Sequence, residues 1–233
     1  MKNIRKFETE TDKNLWRKSS EYVFPNVVLA ENNISYNVPA IPSGVSIQHI
    51  DGNLYTMEQW EDKGFTNEEA NGVAVIDDRS SFVLPKTQLG IKKWSSELTT
   101  IENIISSSNE KIAKEDYSGK SNTEQISLQL ADSLASSCIN FLFPNGEHGY
   151  LPALGELSVM YDYISTINEA LSLVGGTLIK IDENSAYWSS TQYSMYNAWI
   201  VYMGEGVYTM GRKTSSYMCN NNYYAIAFGN LNF

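Results

Sequence analysis

Charged side chains are scarce where a solvated surface would need them. From residue 187 to residue 233 the only ones are Glu205, Arg212 and Lys213, although the same stretch holds eight of the chain's fifteen tyrosines. Long apolar runs are missing as well: nothing in the 233 residues approaches the roughly 20 apolar residues a membrane-spanning helix needs, so no membrane insertion is expected. Basic residues are outnumbered, 17 Lys and Arg against 27 Asp and Glu, for a net charge of −10. That balance argues against a nucleic-acid partner, because phosphate binding needs clustered Lys and Arg. Lys2, Arg5, Lys6, Lys13, Arg17 and Lys18 do gather near the start, but acids alternate with them, the pattern of a solvated face. Two cysteines, Cys138 and Cys219, cannot make a disulfide scaffold, and spacing leaves their pairing open. No glycine-rich phosphate loop and no Cys/His metal spacing is present, so neither cofactor nor metal is expected. The first twenty residues hold no apolar run. This predicts synthesis and folding in a cytoplasm without a signal peptide, with release inside a virus particle as one route outward.

What is there is equally informative. Hydrophobic residues make up 42% of the chain, enough for a sizeable core. The segment from residue 187 onward is instead rich in Tyr, Ser, Asn and Gly with a few Trp. Tyr supplies rigid amphipathic contact area and Ser and Asn supply adaptable hydrogen bonds, so this is the composition of a binding surface.

Along the chain, residues 1–46 read as a polar N-terminal extension or anchoring module, and residues 47–233 as the main domain. Thr11-Asp12 can cap a short helix, Val23-Phe24-Pro25 reads as an edge strand, and residues 39–44 are linker chemistry. Val45 to Ile50 alternates as a strand ending in the Asp51-Gly52 turn, and residues 54–62 read as a helix. Val73 to Ile76 and Ser81 to Leu84 form a hairpin with Asp77-Asp78 in its turn. Ile126, Leu130, Leu134 and Cys138 fall at four-residue steps and predict one helical core stripe. Leu154, Leu157, Tyr161, Ile164, Ile167, Leu171 and Val174 predict a second helix over residues 155–174, ended by Gly175-Gly176. Residues 198–203 and 207–212 read as a hairpin around residues 204–206, with residues 222–228 as a closing strand. Strand alternation then puts Trp199, Val201, Met203 and Val207 on a core face. Ile200, Tyr202, Tyr208 and Met210, with Arg212, share the outer face, which forms an apolar aromatic patch of the kind that marks an interaction site.

Several motifs carry a resemblance. Phe143-Pro144-Asn145-Gly146, Gly149 through Glu156 (GYLPALGE), Val174-Gly175-Gly176-Thr177, Tyr187-Trp188-Ser189-Ser190-Thr191-Gln192 and Ala198-Trp199 are similar to the variable proteins of diversity-generating retroelements, those of gut Bacteroides and their phages in particular. Asp51 through Thr56, Asn71 through Val75 and Asp116-Tyr117-Ser118-Gly119 extend the likeness upstream, over residues 45–233. The resemblance implies an α+β, C-type lectin-like fold, a small twisted antiparallel sheet with flanking helices. It implies a C-terminal variable region over residues 187–228 whose Asn codons are diversified by an error-prone reverse transcriptase. Carried over by position, the ligand-facing residues are Tyr193, Ser194, Tyr196, Ile200, Tyr202, Tyr208, Met210, Ser216, Tyr217, Asn221 and Asn222, with Trp188, Trp199 and Phe228 as scaffold. Two departures stand out. Residues 224–228 lack the Arg of the usual closing strand, and Met210 and Met218 do not derive from an Asn codon.

A calcium lectin needs a Glu-Pro-Asn or Gln-Pro-Asp loop and six to eight oxygen ligands; neither tripeptide occurs. A formylglycine-generating oxidase of the same fold needs two reactive cysteines near its end, where only Cys219 stands. Glu147-His148 could be drawn as a general base, but its glycine-bounded turn is read as solvated, and Asp77-Asp78 would need to converge in a cleft to act as paired acid and base. The expectation is a non-enzymatic receptor-binding protein, a phage tail tip or surface adhesin, meeting a protein or glycan receptor on a bacterial cell. The alternatives are a fixed carbohydrate-binding or adhesin module and, more remotely, the oxidase. A homo-oligomer, as a trimer through the N-terminal module, is the fibre-like expectation.

Overall fold

The computed structural model describes residues 43–218 and 221–231, together with one antiparallel pair, β1 (Ile4–Arg5) and β2 (Tyr36–Asn37). The N-terminal module expected over residues 1–46 otherwise lies outside the described residues, as does Cys219. Its last residues, Gly44 to Ser46, already belong to the main domain through β3 (Gly44–His49). The chain continues through β4 (Leu54–Tyr55), α1 (Met57–Lys63), a single 3-10 turn (Asn67–Glu69), β5 (Ala70–Ile76), β6 (Ser81–Pro85) and β7 (Gly90–Ile91). Five helices follow among the described residues: α2 (Glu110–Lys114), α3 (Gly119–Gln129), α4 (Leu134–Ile139), α5 (Leu154–Asp162) and α6 (Ile164–Leu173). The C-terminal part is β8 (Ser185–Gln192), β9 (Asn197–Tyr202), β10 (Val207–Arg212), β11 (Tyr217–Met218), β12 (Asn221–Ala225) and β13 (Gly229–Asn230).

These elements make a mixed α+β architecture with two sheets. One has the order β13-β6-β5-β3-β4, the other β10-β9-β8-β12-β11 with β7 also on β12. Every pairing is antiparallel except β12 on β8.

Local chemistry sets the element ends. Thr56 accepts the Gln59 amide at 3.1 Å while Gln59 Oε1 accepts the Thr56 amide at 3.0 Å, a reciprocal cap that starts α1. Gly64, at φ 66°, ends it in the left-handed region that glycine occupies without penalty. The Asp77-Asp78 hairpin turn forms as expected. Asp77 accepts the Arg79 amide (3.0 Å) and Nε (2.7 Å), and hydrogen bonds from Arg79 hold its carboxyl down at about 2. Asp78 points to solvent, so the two acids do not converge.

Both long helices expected from the sequence are broken. Leu130 leaves α3 with extended backbone (φ −136°, ψ 97°), and Ser133 caps a separate α4 by accepting the Ser136 amide. Ile126, Leu130, Leu134 and Cys138 nevertheless all reach one core. Tyr163, at φ −107° and ψ 9°, separates α5 from α6, and their apolar positions also share one core.

There are two main cores, and the second sheet lies between them. Tyr187, Trp199, Val201 and Met203 enter the core shared with the first sheet and helices α5 and α6. Ala186, Trp188, Ala198, Ile200, Tyr223 and Ala225 enter the other, under Trp94, Ile101, α3 and α4. Every residue of β8 is buried. The run Ala198-Trp199-Ile200-Val201 thus behaves as a strand buried on both faces, for which a continuous apolar sequence is the signature.

Candidate functional site

Two findings redraw the outer face expected from the sequence. Ile200 is 1% exposed and packs in the core with Trp188 and Tyr223, so it presents nothing to a ligand. The sheet's other side is covered there by α3, α4 and the Trp94 segment. The second finding concerns the return strand, whose register differs from the expected one. Val207 pairs with Tyr202 and Met210 with Trp199 across a four-residue turn over residues 203–206. A shift of one residue exchanges the faces of an entire strand. Tyr208, Met210 and Arg212 therefore lie on the side of Trp199 and Val201, while Val207 and Thr209 lie with Tyr202 and Ile200. Val207, expected in the core, is 44% exposed because β10 is the last strand of its sheet.

The remaining expected residues form two groups. Tyr193, Ser194 and Tyr196 occupy the β8–β9 loop beside β10. The Tyr193 ring packs on Trp199 with centroids 5.1 Å apart, and the Trp199 indole N–H donates to the Ser107 carbonyl at 2.8 Å. Tyr196 is 50% exposed, and its neighbour Met195, which sequence reading passed over, is 41% exposed. Ser194 fixes the loop: its hydroxyl accepts the Tyr196 and Asn197 amides, each at 3.2 Å. On β10, Met210 is 42% exposed. Tyr208 is half-buried: its hydroxyl donates to Ser158 Oγ at 3.1 Å, and Lys114 Nζ sits 3.8 Å from its ring centre. Lys114 brings α2 to this side, and Ile112 on the same helix is exposed.

Ser216, Tyr217, Asn221 and Asn222 lie elsewhere. β12 and β11 are at the far end of the sheet from β10, three and four strand positions away, or about 14 and 19 Å at roughly 4.8 Å per strand. Tyr217 is well exposed there. Tyr202 is half-buried against the second core. The surface that the structure assembles is therefore the loop of Tyr193 to Tyr196 with Met210, Arg212, Tyr208 and α2.

The motifs behind the resemblance turn out to be a buried joint beneath this surface. Asp116 is 1% exposed. Its Oδ1 accepts the Ser118 amide at 3.0 Å, and its Oδ2 accepts Asn122 Nδ2 and Thr191 Oγ, both at 2.8 Å. Thr191 Oγ in turn accepts the Leu154 amide at 2.9 Å. Glu156 accepts the Ala153 amide at 2.7 Å and the Tyr150 hydroxyl at 3.1 Å. Burial, offset in part by these donors and reinforced by the nearby Asp116 charge, raises the Glu156 carboxyl to about 8. The segments Asp116 to Gly119, Gly149 to Glu156 and Tyr187 to Gln192 are thus bonded to one another.

A buried cation anchors the loop from the other side. Lys213 is fully buried and donates to the Thr99 carbonyl (2.7 Å) and Gln192 Oε1 (2.5 Å), with Nζ 4.5 Å from the Trp94 ring centre. Its amide donates to the Tyr196 carbonyl at 3.0 Å. Desolvation lowers its ammonium to about 8. The folded state then binds fewer protons than the unfolded chain between pH 8 and 10.5. This contribution to stability is present above 10.5 and lost as pH falls through 8. Lys213→Met removes the desolvated charge but strands the Thr99 carbonyl, so its stability relative to wild type is expected to fall between about pH 7 and about pH 10. Urea unfolding at both pH values checks it.

Glu147 and His148 border a shallow depression of about 420 Å³ with Lys120, Glu124 and Asn230. There His148 Nδ1 donates to the Ile139 carbonyl at 2.6 Å, which ties it to α4. Cys138 is buried in the core, where desolvation raises its thiol out of the reactive range. Among the described residues no cluster of three or more His, Cys, Asp or Glu is placed to hold a metal, and no helix is long and apolar enough to cross a membrane.

No family model matches the chain, and no curated protein is similar to it at a significant level. A solved structure is similar in fold. It is a fimbrial protein from Bacteroides ovatus ATCC 8483, 14% identical, with a TM-score of 0.56 over 81% of this chain and 48% of that one. The chain therefore spans about half the length of that protein, and the likeness shows a shared fold.

Proposed function

We propose that this chain is a non-enzymatic receptor-binding protein whose contact surface is the loop of Tyr193 to Tyr196 together with Met210 and Arg212. The observation that carries the reading is the exposure of Met195, Tyr196 and Met210, outside both cores, on a loop and on the terminal strand that the loop is bonded to through the Lys213 amide. Exposed apolar groups gathered on connecting segments over a rigid scaffold mark binding sites. In this reading the scaffold is C-type lectin-like, and the exposed residues are the positions that a diversity-generating retroelement would vary. The Asp116 joint supports it, since it would hold the scaffold constant beneath them. The fold likeness to a Bacteroides fimbrial protein supports an adhesin on a bacterial surface; a phage tail tip is the other placement. The receptor is a protein or glycan of a bacterial cell.

The test is binding of the full chain to intact cells and envelope fractions of gut bacteria, beside a folded Tyr196→Ala/Met210→Ala variant. Central aromatic and apolar anchors dominate interface energy, so the variant is expected to bind at least about tenfold more weakly. Equal binding by both proteins moves the contact off this surface. No binding by either defeats the reading.

A further inference from the structure

The main-chain groups of β10 point to a more specific ligand. The Lys213 amide bonds to the Tyr196 carbonyl, and the Gly206 amide bonds to the Tyr202 carbonyl at 2.9 Å. In an antiparallel ladder successive residues alternate between facing the partner strand and facing away. The pairs Gly211–Ala198, Thr209–Ile200 and Val207–Tyr202 therefore carry the bonds to β9, and Tyr208, Met210 and Arg212 turn their N–H and C=O groups outward. Among the described residues nothing bonds to the outward groups of Tyr208 or Met210; the Arg212 carbonyl takes the Ser215 amide at 2.9 Å.

Terminal strands are usually blunted by proline, lysine, a bulge or a covering segment. β10 pairs in unbroken register over six residues, has no proline or lysine, and ends its sheet. The side chains flanking this open row are apolar on both faces. Val207 stands on one, Tyr208 and Met210 on the other, with Ile112 exposed on the neighbouring helix.

We propose that the open edge of β10 takes an added strand, supplied by an extended segment of a different polypeptide. The segment is apolar at alternate positions and acidic where it meets Arg212. The proposal deepens the reading above by making the receptor a protein, and rests on that reading for the location of the surface. Main-chain bonds to Tyr208 and Met210 would supply affinity, and alternate side chains specificity. Arg212 argues for an acidic partner, Lys114 already lying 3.9 Å from Glu110, and the two cations together argue against a second copy of this chain. Antiparallel pairing about Met210 would set each Arg212 across from the other copy's Tyr208, whose ring already carries Lys114 at 3.8 Å. Two cations would then crowd one ring.

The experiment is amide hydrogen exchange on the full chain, alone and with about 1 mM of a synthetic strand peptide of roughly ten residues, valine alternating with threonine and glutamate. Protection of the Tyr208 and Met210 amides by about tenfold or more is expected. A copy of the peptide N-methylated along the edge that meets β10 should give none. Met210→Pro should also abolish pairing: it deletes an N–H that faces away from β9, so the ladder to β9 stays whole. Met210→Thr should retain it. Unprotected amides, equal binding of the methylated peptide, or unaltered pairing by folded Met210→Pro would overturn the proposal. So would a peptide-independent dimer in sedimentation that Met210→Pro dissolves. Failure to bind cells with peptide pairing intact would instead count against the surface-receptor reading alone.

Discussion

An Asp116→Ala variant is expected to lose about 3 kcal/mol or more of stability, in the range seen when one partner of a buried charged network is removed. The carboxylate takes three hydrogen bonds, from the Ser118 amide, Asn122 and Thr191, in a site from which water is excluded. Alanine strands the Ser118 amide and the Thr191 hydroxyl and leaves Asn122 Nδ2 only Ser190 Oγ, and each orphaned buried group costs about 1–3 kcal/mol. For a domain of this size that is a drop in melting temperature on the order of 10 °C, readable by scanning calorimetry. Thr191→Val, which removes a single donor from the carboxylate and the acceptor of the Leu154 amide, should cost less. If Asp116→Ala melts within about 2 °C of wild type, the joint between the three motifs is not what holds them together.

The second large effect is expected from one added methyl group. Gly155 is in the first turn of α5, a helical position where alanine is ordinarily preferred to glycine. A Cβ there would lie 2.6 Å from the Asp116 carbonyl oxygen, 2.7 Å from that of Lys114 and 2.7 Å from the Tyr117 ring. Two of these neighbours are backbone that cannot turn aside, and the Gly155 amide bonds to the Asp116 carbonyl at 2.9 Å. Overpacking of this kind costs about 1–3 kcal/mol or more, so Gly155→Ala should destabilise by about 2 kcal/mol despite its better propensity. Urea unfolding measures it, and a gain in stability would show that α2 and the Asp116 loop can move away from α5.

Much of the element order was legible from local signals. The Asp51-Gly52 turn, the hairpin around Asp77-Asp78, the apolar face from Leu154 to Val174 and the β9–β10 hairpin all follow from turn chemistry and periodicity. What was not legible depends on contacts distant in sequence. The break at Leu130 follows from Ser133 taking the Ser136 amide and from the Leu134 amide reaching the Trp94 carbonyl. Alternation does not give the face of Ile200, because the run from Ala198 to Met203 is apolar on both faces, and the run itself is the signal of a strand buried on both sides. The β10 faces hinged on whether the turn holds three residues or four, which Gly204-Glu205-Gly206 leaves undecided. The motifs of residues 116–119, 149–156 and 187–192 were visible as motifs, but nothing in any one of them reveals that Asp116 and Thr191 bond across 75 positions.

The last strands carry a consequence for how the molecule is made. β12 fills the place between β8 and the β7 and β11 strands, and β13 closes the first sheet on β6. Neither sheet can be finished until residues 221–230 have left the ribosome. At about 5–20 residues per second, the earlier strands wait several seconds or longer with open edges. During that interval β6 and β8 are exposed to chaperones and to neighbouring nascent chains, and a ribosome that stalls short of residue 221 releases a product with both sheets incomplete.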